Sequence, residues 1–93
     1  MSNASKAWRV DVDGAAHDIE AEHHEMTGKI IVRLDGKEIS QERMLWFSKH
    51  VEFSIDDHPA ELTFNVSSRF GGLILDSDSM LRVDGKLVEP MRL

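Results

Sequence analysis

The chain contains no cysteine. This absence excludes disulfide bonds, a thiolate nucleophile and a cysteine-ligated zinc site. The sequence also lacks any apolar run near the ~20 residues that a membrane-spanning helix requires. Its N-terminal segment, MSNASKAW, has no apolar stretch of the kind found in signal peptides. We therefore expect a cytoplasmic protein with no membrane partner.

Positive charge is scarce as well. Lysine and arginine number 11 against 17 aspartates and glutamates, which gives a formal net charge of −6. Because an acidic chain without a basic cluster repels phosphate groups, we expect no nucleic-acid partner. Hydrophobic residues make up 41% and charged residues 30% of the 93 residues, as is ordinary for one globular domain. We assign residues 1–6 to a disordered N-terminal tail and residues 7–93 to a single domain.

Helical spacing of apolar residues is almost missing from the chain. The nearest approach to an amphipathic helix, residues 40–47, is short and ends in bulky side chains that suit a strand as well. Apolar and polar residues instead alternate, which is typical of antiparallel strands with one buried face. The segments with strand character are WRVDVD (8–13), HDIEAEHH (17–24), the β-branched run KIIVRL (29–34), VEFSID (51–56) and ELTFNV (61–66).

Short turn signals separate these segments. Asp-Gly occurs at 13–14, 35–36 and 84–85, each time between apolar-patterned flanks. Both central residues of a type I′ turn need positive φ, so Asp-Gly is a strong hairpin signal. Asp56–Pro59 and the glycine-rich loop Ser67–Gly72 separate further strands. The pattern predicts an all-β fold, a compact antiparallel β-sandwich of about seven or eight short strands joined by tight hairpins.

Two segments that nearly repeat each other, IVRLDGKEI (31–39) and MLRVDGKLV (80–88), contain Gly-Lys. A phosphate-binding loop needs a further glycine five residues before the Gly-Lys glycine and Ser or Thr after the lysine. Ile31 and Met80 occupy the first of these positions, and Glu38 and Leu87 the second. The phosphate-loop interpretation is therefore rejected, and we interpret both segments as hairpins.

A metal site is an alternative suggested by the segment HDIEAEHH. Glu20, Glu22 and His24 share one face of the predicted strand, whereas His17 and His23 fall on its apolar face. No spacing identifies further ligands on other strands, and a solvated polar face explains the same residues. A metal-dependent enzyme using His17, Glu20, Glu22 or His23 stays open as an alternative. The simpler hypothesis places both apolar-face histidines at the sheet margin with hydrogen-bond partners.

Bulky residues near turns suggest an interaction surface. Trp46 and Phe47 are adjacent, so in a strand they cannot both face the core. Arg69 and Phe70 lie in the predicted glycine-flanked loop. Exposed aromatic and arginine side chains often anchor protein interfaces. Trp46, Arg69 and Phe70 are therefore our candidate interaction residues; the alternative is that a second sheet or a folded-back loop covers them.

Four segments in order resemble the Fas apoptotic inhibitory molecule family. They are WRVDVDGAAHDIEAEH (8–23), TGKIIVRLDGKEI (27–39), FSIDDHPAELTFNVSS (53–68) and LRVDGKLVEP (81–90). The resemblance implies a compact antiparallel β-sandwich. Animal members of the family carry two such domains, act in the cytosol on death-receptor and survival signalling, and are not known as enzymes. The resemblance therefore implies no catalytic role for any residue of this chain.

The sequence thus predicts a non-catalytic interaction module that needs no cofactor. Its expected partner is a protein of unknown identity, and a homodimer through a strand edge is a further expectation. The first alternative is a sandwich that binds a small ligand or a carbohydrate by aromatic stacking. The second is the metal-dependent enzyme considered above.

Overall fold

A computed structural model describes the chain over residues 3–24, 27–43, 48–70 and 73–91. Side-chain environments are described for these residues except 3–4, 66–70 and 73–77. Eight strands occupy nearly all of this part of the chain. They are β1 (Asn3–Val12), β2 (Ala15–His24), β3 (Lys29–Leu34), β4 (Lys37–Arg43), β5 (Ser48–Ile55), β6 (His58–Phe70), β7 (Leu73–Val83) and β8 (Lys86–Val88). A search of the described residues finds no helix capable of crossing a membrane.

The strands form two four-stranded antiparallel sheets, each a simple meander. The first has the order β1-β2-β3-β4 and the second β5-β6-β7-β8. Every neighbouring pair is antiparallel, as expected for strands joined by short connections. The all-β prediction is therefore confirmed, including the number of strands. The first four strands and the last four build equivalent sheets that pack face to face.

The Asp-Gly hairpins adopt the predicted backbone conformation. Asp13, Asp35 and Asp84 have φ of 52°, 52° and 53°, and the glycines that follow them have φ of 83°, 82° and 77°. Positive φ at both positions is the mark of a type I′ turn, whose twist matches that of the flanking strands. The two near-repeated segments form the β3–β4 and β7–β8 hairpins, which hold the same place in their respective sheets. The repeated Gly-Lys segments are therefore explained by two equivalent hairpins of the fold.

The β5–β6 turn has no glycine. Asp56 and Asp57 take both central positions with φ of 45° and 68°. Aspartate is among the few residues with a side chain that tolerate this conformation. The four described two-residue turns therefore each carry an aspartate at the first position.

The hydrophobic core lies between the two sheets and consists of alternate residues along the strands. Trp8 is its largest member and is only 1% exposed. Burial of each large side chain contributes about 1.5–3 kcal/mol relative to leaving it in water. The other buried members are Val12, Ile19, Ala21, Ile30, Val32, Val51, Ile55, Ala60, Leu62, Phe64, Leu81 and Val83.

Two boundary predictions were wrong. Residues 3–6, assigned to a disordered tail, begin β1 and pair with residues 21–24 of β2. Ser67–Phe70, assigned to a loop, continue β6, where Arg69 pairs with Ile74 and Phe70 with Leu73. Register shifts after Val66 and Ser68 let the ladder continue through a segment that has no apolar alternation. The remainder of both predicted segments lies outside the described residues.

Candidate functional site

Six titratable side chains meet where the four described two-residue turns come together at one end of the sandwich. Two histidines lie between four aspartates, and each aspartate is the first residue of a turn. We call this group the turn-end cluster; it consists of His17, His58, Asp13, Asp35, Asp56 and Asp84.

His17, near the start of β2, connects the two sheets. Its Nδ1–H donates to Oδ2 of Asp35 at 2.7 Å, within its own sheet. Its Nε2–H donates to Oδ2 of Asp56 at 2.9 Å, on the β5–β6 turn of the other sheet. The second oxygen of Asp35 accepts the backbone N–H of Asp18 at 2.8 Å, which fixes the carboxylate in place. The His17 side chain is 14% exposed.

His58, the first residue of β6, makes the reciprocal arrangement. Its Nδ1–H donates to Oδ2 of Asp84 at 2.7 Å within its own sheet. Its Nε2–H donates to Oδ2 of Asp13 at 3.1 Å on the β1–β2 turn of the first sheet. Each histidine therefore uses Nδ1 inside its sheet and Nε2 across to the other. The two equivalent sheets are joined at this end by two equivalent bridges.

The cluster favours doubly protonated imidazole rings. Hydrogen bonding to Asp35, and secondarily to Asp56, raises the pKa of His17 above 6.5, against an opposing effect of burial. The same argument applies to His58, whose pKa is raised first by Asp84 and then by Asp13. The backbone N–H of Asp18, followed by His17, lowers the pKa of the Asp35 carboxyl. Ionised carboxylates only accept hydrogen bonds, so both ring nitrogens must carry protons to satisfy two of them.

This geometry limits the chemistry available to the two histidines. A general base or a metal ligand needs a ring nitrogen with a free lone pair. In both rings each nitrogen faces a carboxylate within hydrogen-bond distance. While the bridges are intact, the cluster connects the sheets and does not present a base or ligand to a substrate.

The residues proposed for a metal-dependent enzyme do not come together. Glu20 and Glu22 lie on the outer face of the first sheet, where both accept hydrogen bonds from Arg33 at 2.7 and 3.1 Å. His23 lies on the inner face, is 4% exposed and packs edge-on against Phe64. His17 belongs to the turn-end cluster. Among the residues that the structure describes, no three histidine, aspartate or glutamate side chains are arranged to hold a metal ion.

The apolar-face assignment of His17 and His23 agrees with the structure. His17 has the hydrogen-bond partners predicted for a histidine at the sheet margin. His58 was not singled out by the sequence analysis, and neither were the four turn aspartates as a group. A signal was present, because aspartate recurs at the first position of four of the five predicted turns. The aspartates alone do not indicate which histidine contacts the other sheet.

The predicted interaction residues are only partly covered by the structure. Trp46 lies outside the described residues. Arg69 and Phe70 lie in strand β6, and not in the loop that was predicted for them; their side chains are outside the described part. Their role in an interface stays a prediction.

The two sides of the sandwich differ in how they are closed. At edge strand β1, the backbone N–H of Met91 donates to the carbonyl of Ala7 at 2.8 Å, so the C-terminal segment covers part of that edge. On the opposite side lie the edge strands β4 and β5, connected by an ion pair of 3.8 Å between Glu42 and Lys49. We call this the β4–β5 side. Six of the seven side chains of β4 are exposed, and Ser40 is half-buried.

A cavity of 210 Å³ opens between the sheets near Lys6, His23, Phe64 and Ser79. It bears on the alternative of a carbohydrate-binding sandwich, because stacking on a sugar needs an exposed aromatic face. The Phe64 ring is 2% exposed and packs into the core. The Lys6 ammonium at the cavity rim already binds Asp78 at 2.7 Å and the Ser79 carbonyl at 3.0 Å. This cavity therefore offers little support for sugar binding.

Comparison with known proteins gives one family. A family model described as Fas apoptotic inhibitory molecule (FAIM1) matches residues 4–90, nearly the whole chain. No curated protein gives a significant match.

Proposed function

Because the chain belongs to the Fas apoptotic inhibitory molecule family, we propose that it is a non-catalytic, cytoplasmic protein-interaction domain that binds its partner along the β4–β5 side. The observation that carries the proposal is strand β4, an edge strand with almost every side chain exposed. An edge strand presents backbone N–H and C=O groups that a partner strand can pair with.

The side chains of β4 suit a selective partner. The strand carries both signs of charge around an exposed Ile39, at Lys37, Glu38, Glu42 and Arg43. A register shift between Val32 and Arg33 produces a bulge in the β3–β4 pairing. Mixed charges and a bulge discourage indiscriminate strand addition. A strand with complementary charges would still pair, so these features favour one partner over general aggregation.

The turn-end cluster supports the non-catalytic part of the proposal. In both of its histidines each ring nitrogen contacts a carboxylate, and the two Nε2 contacts connect the sheets. Acid–base catalysis would require a ring to release one of these contacts. The arrangement stabilises a fold more readily than it turns over a substrate.

Affinity capture from the native cell with a matched pair of variants tests whether the partner binds along the β4–β5 side. Ile39→Lys places a charge in the middle of β4, and Leu87→Lys makes the same change on β8, where Leu87 is 56% exposed. We expect Ile39→Lys to lose partners that wild type and Leu87→Lys retain, with thermal unfolding confirming that both variants fold. Equal partner sets for all three proteins would contradict the β4 assignment.

The partner could be a second copy of the chain. Light scattering across a concentration series separates this case, because a homodimer through β4 would double the apparent mass and Ile39→Lys would reduce it to the monomer. A monomer at all concentrations would direct the search to a different protein.

A further inference from the structure

We propose that the turn-end cluster is a pH-sensitive latch, which holds the two sheets together while both histidines are protonated and releases their turn ends when the histidines lose a proton. The proposal rests on the placement of six side chains and is independent of the identity of any binding partner.

The latch follows from a count of ring protons. A protonated imidazole has two N–H donors, which match the two carboxylates on each ring. A neutral imidazole has only one, so one of its two contacts then brings a nitrogen lone pair against a carboxylate oxygen. Each histidine that deprotonates must therefore give up one aspartate.

The distances indicate which contact is lost. In both rings the Nδ1 contact is 2.7 Å, whereas the Nε2 contacts are 2.9 Å for His17 and 3.1 Å for His58. The remaining proton is favoured at the nitrogen with the closer carboxylate. The Nδ1 contacts lie within a sheet and the Nε2 contacts run between sheets. Deprotonation therefore breaks the contacts that join the sheets.

Charge acts in the same direction. The carboxylates acting on His17 are Asp35 and Asp56, and those acting on His58 are Asp84 and Asp13. With both rings protonated, two positive charges face four negative ones, a net of −2; with both neutral the net is −4. The neighbouring carboxylate of Asp18 is held by Arg9 at 2.8 Å. The β5–β6 turn adds a further carboxylate at Asp57, next to Asp56. Loss of the ring protons leaves the turn aspartates to repel each other across the sheets.

The other inter-sheet ion pairs among the described residues contain no histidine. Lys6 binds Asp78 at 2.7 Å, and Lys49 binds Glu42 at 3.8 Å. Lysine ordinarily titrates near pH ~10.4, well above histidine. A rise through the histidine range therefore acts on the turn end and leaves these pairs in place. The result is local opening and not general unfolding.

Nuclear magnetic resonance of the full chain tests the latch. Ring ¹⁵N shifts report both the titration midpoint and the tautomer of each histidine. We expect His17 and His58 to titrate above 6.5 and to become the Nδ1–H tautomer. We also expect amide protection factors to fall at pH values above those midpoints in the strand pairs that close two of the turns, Val12 with Ala15 and Ile55 with His58, with no such fall at Ile30. Midpoints at or below 6.5, an Nε2–H tautomer, or protection that does not change would overturn the proposal.

A matched set of variants completes the test. His58→Gln removes the ionisable ring from one bridge, and His50→Gln removes an exposed histidine of β5, 60% accessible, that lies outside the cluster. We expect the pH-dependent fall in protection at Val12 and Ala15 to disappear in His58→Gln and to persist in His50→Gln. The same fall in both variants would exclude the latch. If His58→Gln does not fold, the wild-type titration still decides the question.

Discussion

His17 and Asp56 belong to different sheets, and the ring Nε2 of the first lies 2.9 Å from Oδ2 of the second. His58 and Asp13 repeat this relationship in the opposite direction at 3.1 Å. The two bridges place charged hydrogen bonds at the end of a sandwich whose centre is held by apolar packing. The consequences can be measured in the stability of the protein.

The first prediction concerns pH. The pKa of His17 and of His58 is raised by folding, so their contribution is complete below pH 6.5 and is lost as pH rises through the folded values. The pKa of Asp35 and of Asp78 is lowered, so their contribution is complete above 3.8 and is lost as pH falls further. We expect the free energy of unfolding in urea to be largest between these limits. A steady increase in stability from pH 6.5 to alkaline values would contradict this.

The second prediction compares two neighbouring aspartates. Asn tolerates positive φ, so Asp56→Asn and Asp57→Asn both preserve the turn backbone. Of these two aspartates, Asp56 is the one with a histidine contact in the described structure. We expect Asp56→Asn to lower the pKa of His17 and the stability of the fold near neutral pH, and Asp57→Asn to change neither. Histidine titration by NMR together with urea unfolding makes the comparison, and identical behaviour of the two variants would refute it.

The third prediction concerns Gly85. It has φ of 77°, and an added Cβ would meet no atom within 4 Å. We therefore expect Gly85→Ala to lower the free energy of unfolding by about 1–2 kcal/mol, through backbone strain and without a steric clash. Leu87→Ala, two residues later and exposed, serves as a control with an expected change within about 0.5 kcal/mol. Urea unfolding at one pH measures both, and an unchanged Gly85→Ala protein would show that the turn is not under this constraint.

The positions of the strands could be predicted from the local alternation of apolar and polar residues, whereas the contacts between the sheets could not. Val51 and Ile55 alternate with exposed residues, and both are buried in the core as that pattern indicates. Asp-Gly specified the turns because few other residue pairs reach positive φ at both positions. The extension of β6 through Ser67–Phe70 was missed because serine and arginine break the alternation there. The His17–Asp56 contact joins residues 39 apart in sequence and depends on how two sheets pack, which local pattern does not report.

The fourth prediction concerns the residues chosen from sequence for an interface. We expect Trp46→Ala and Phe70→Ala each to reduce partner capture while leaving the unfolding midpoint close to wild type, since anchors of this kind act at a surface. Thermal unfolding and affinity capture of the same preparations measure the two properties. Variants that keep every partner, or that lose the fold, would remove these residues from the interface.

Hydrogen exchange on the complex with a captured partner tests the central claim most directly. If the domain binds along the β4–β5 side, amides of Lys37–Arg43 gain protection when the partner is added, while those of Lys86–Val88 on the other edge of the second sheet do not. Protection confined to β8, or to the outer face of either sheet with β4 unchanged, would contradict the account.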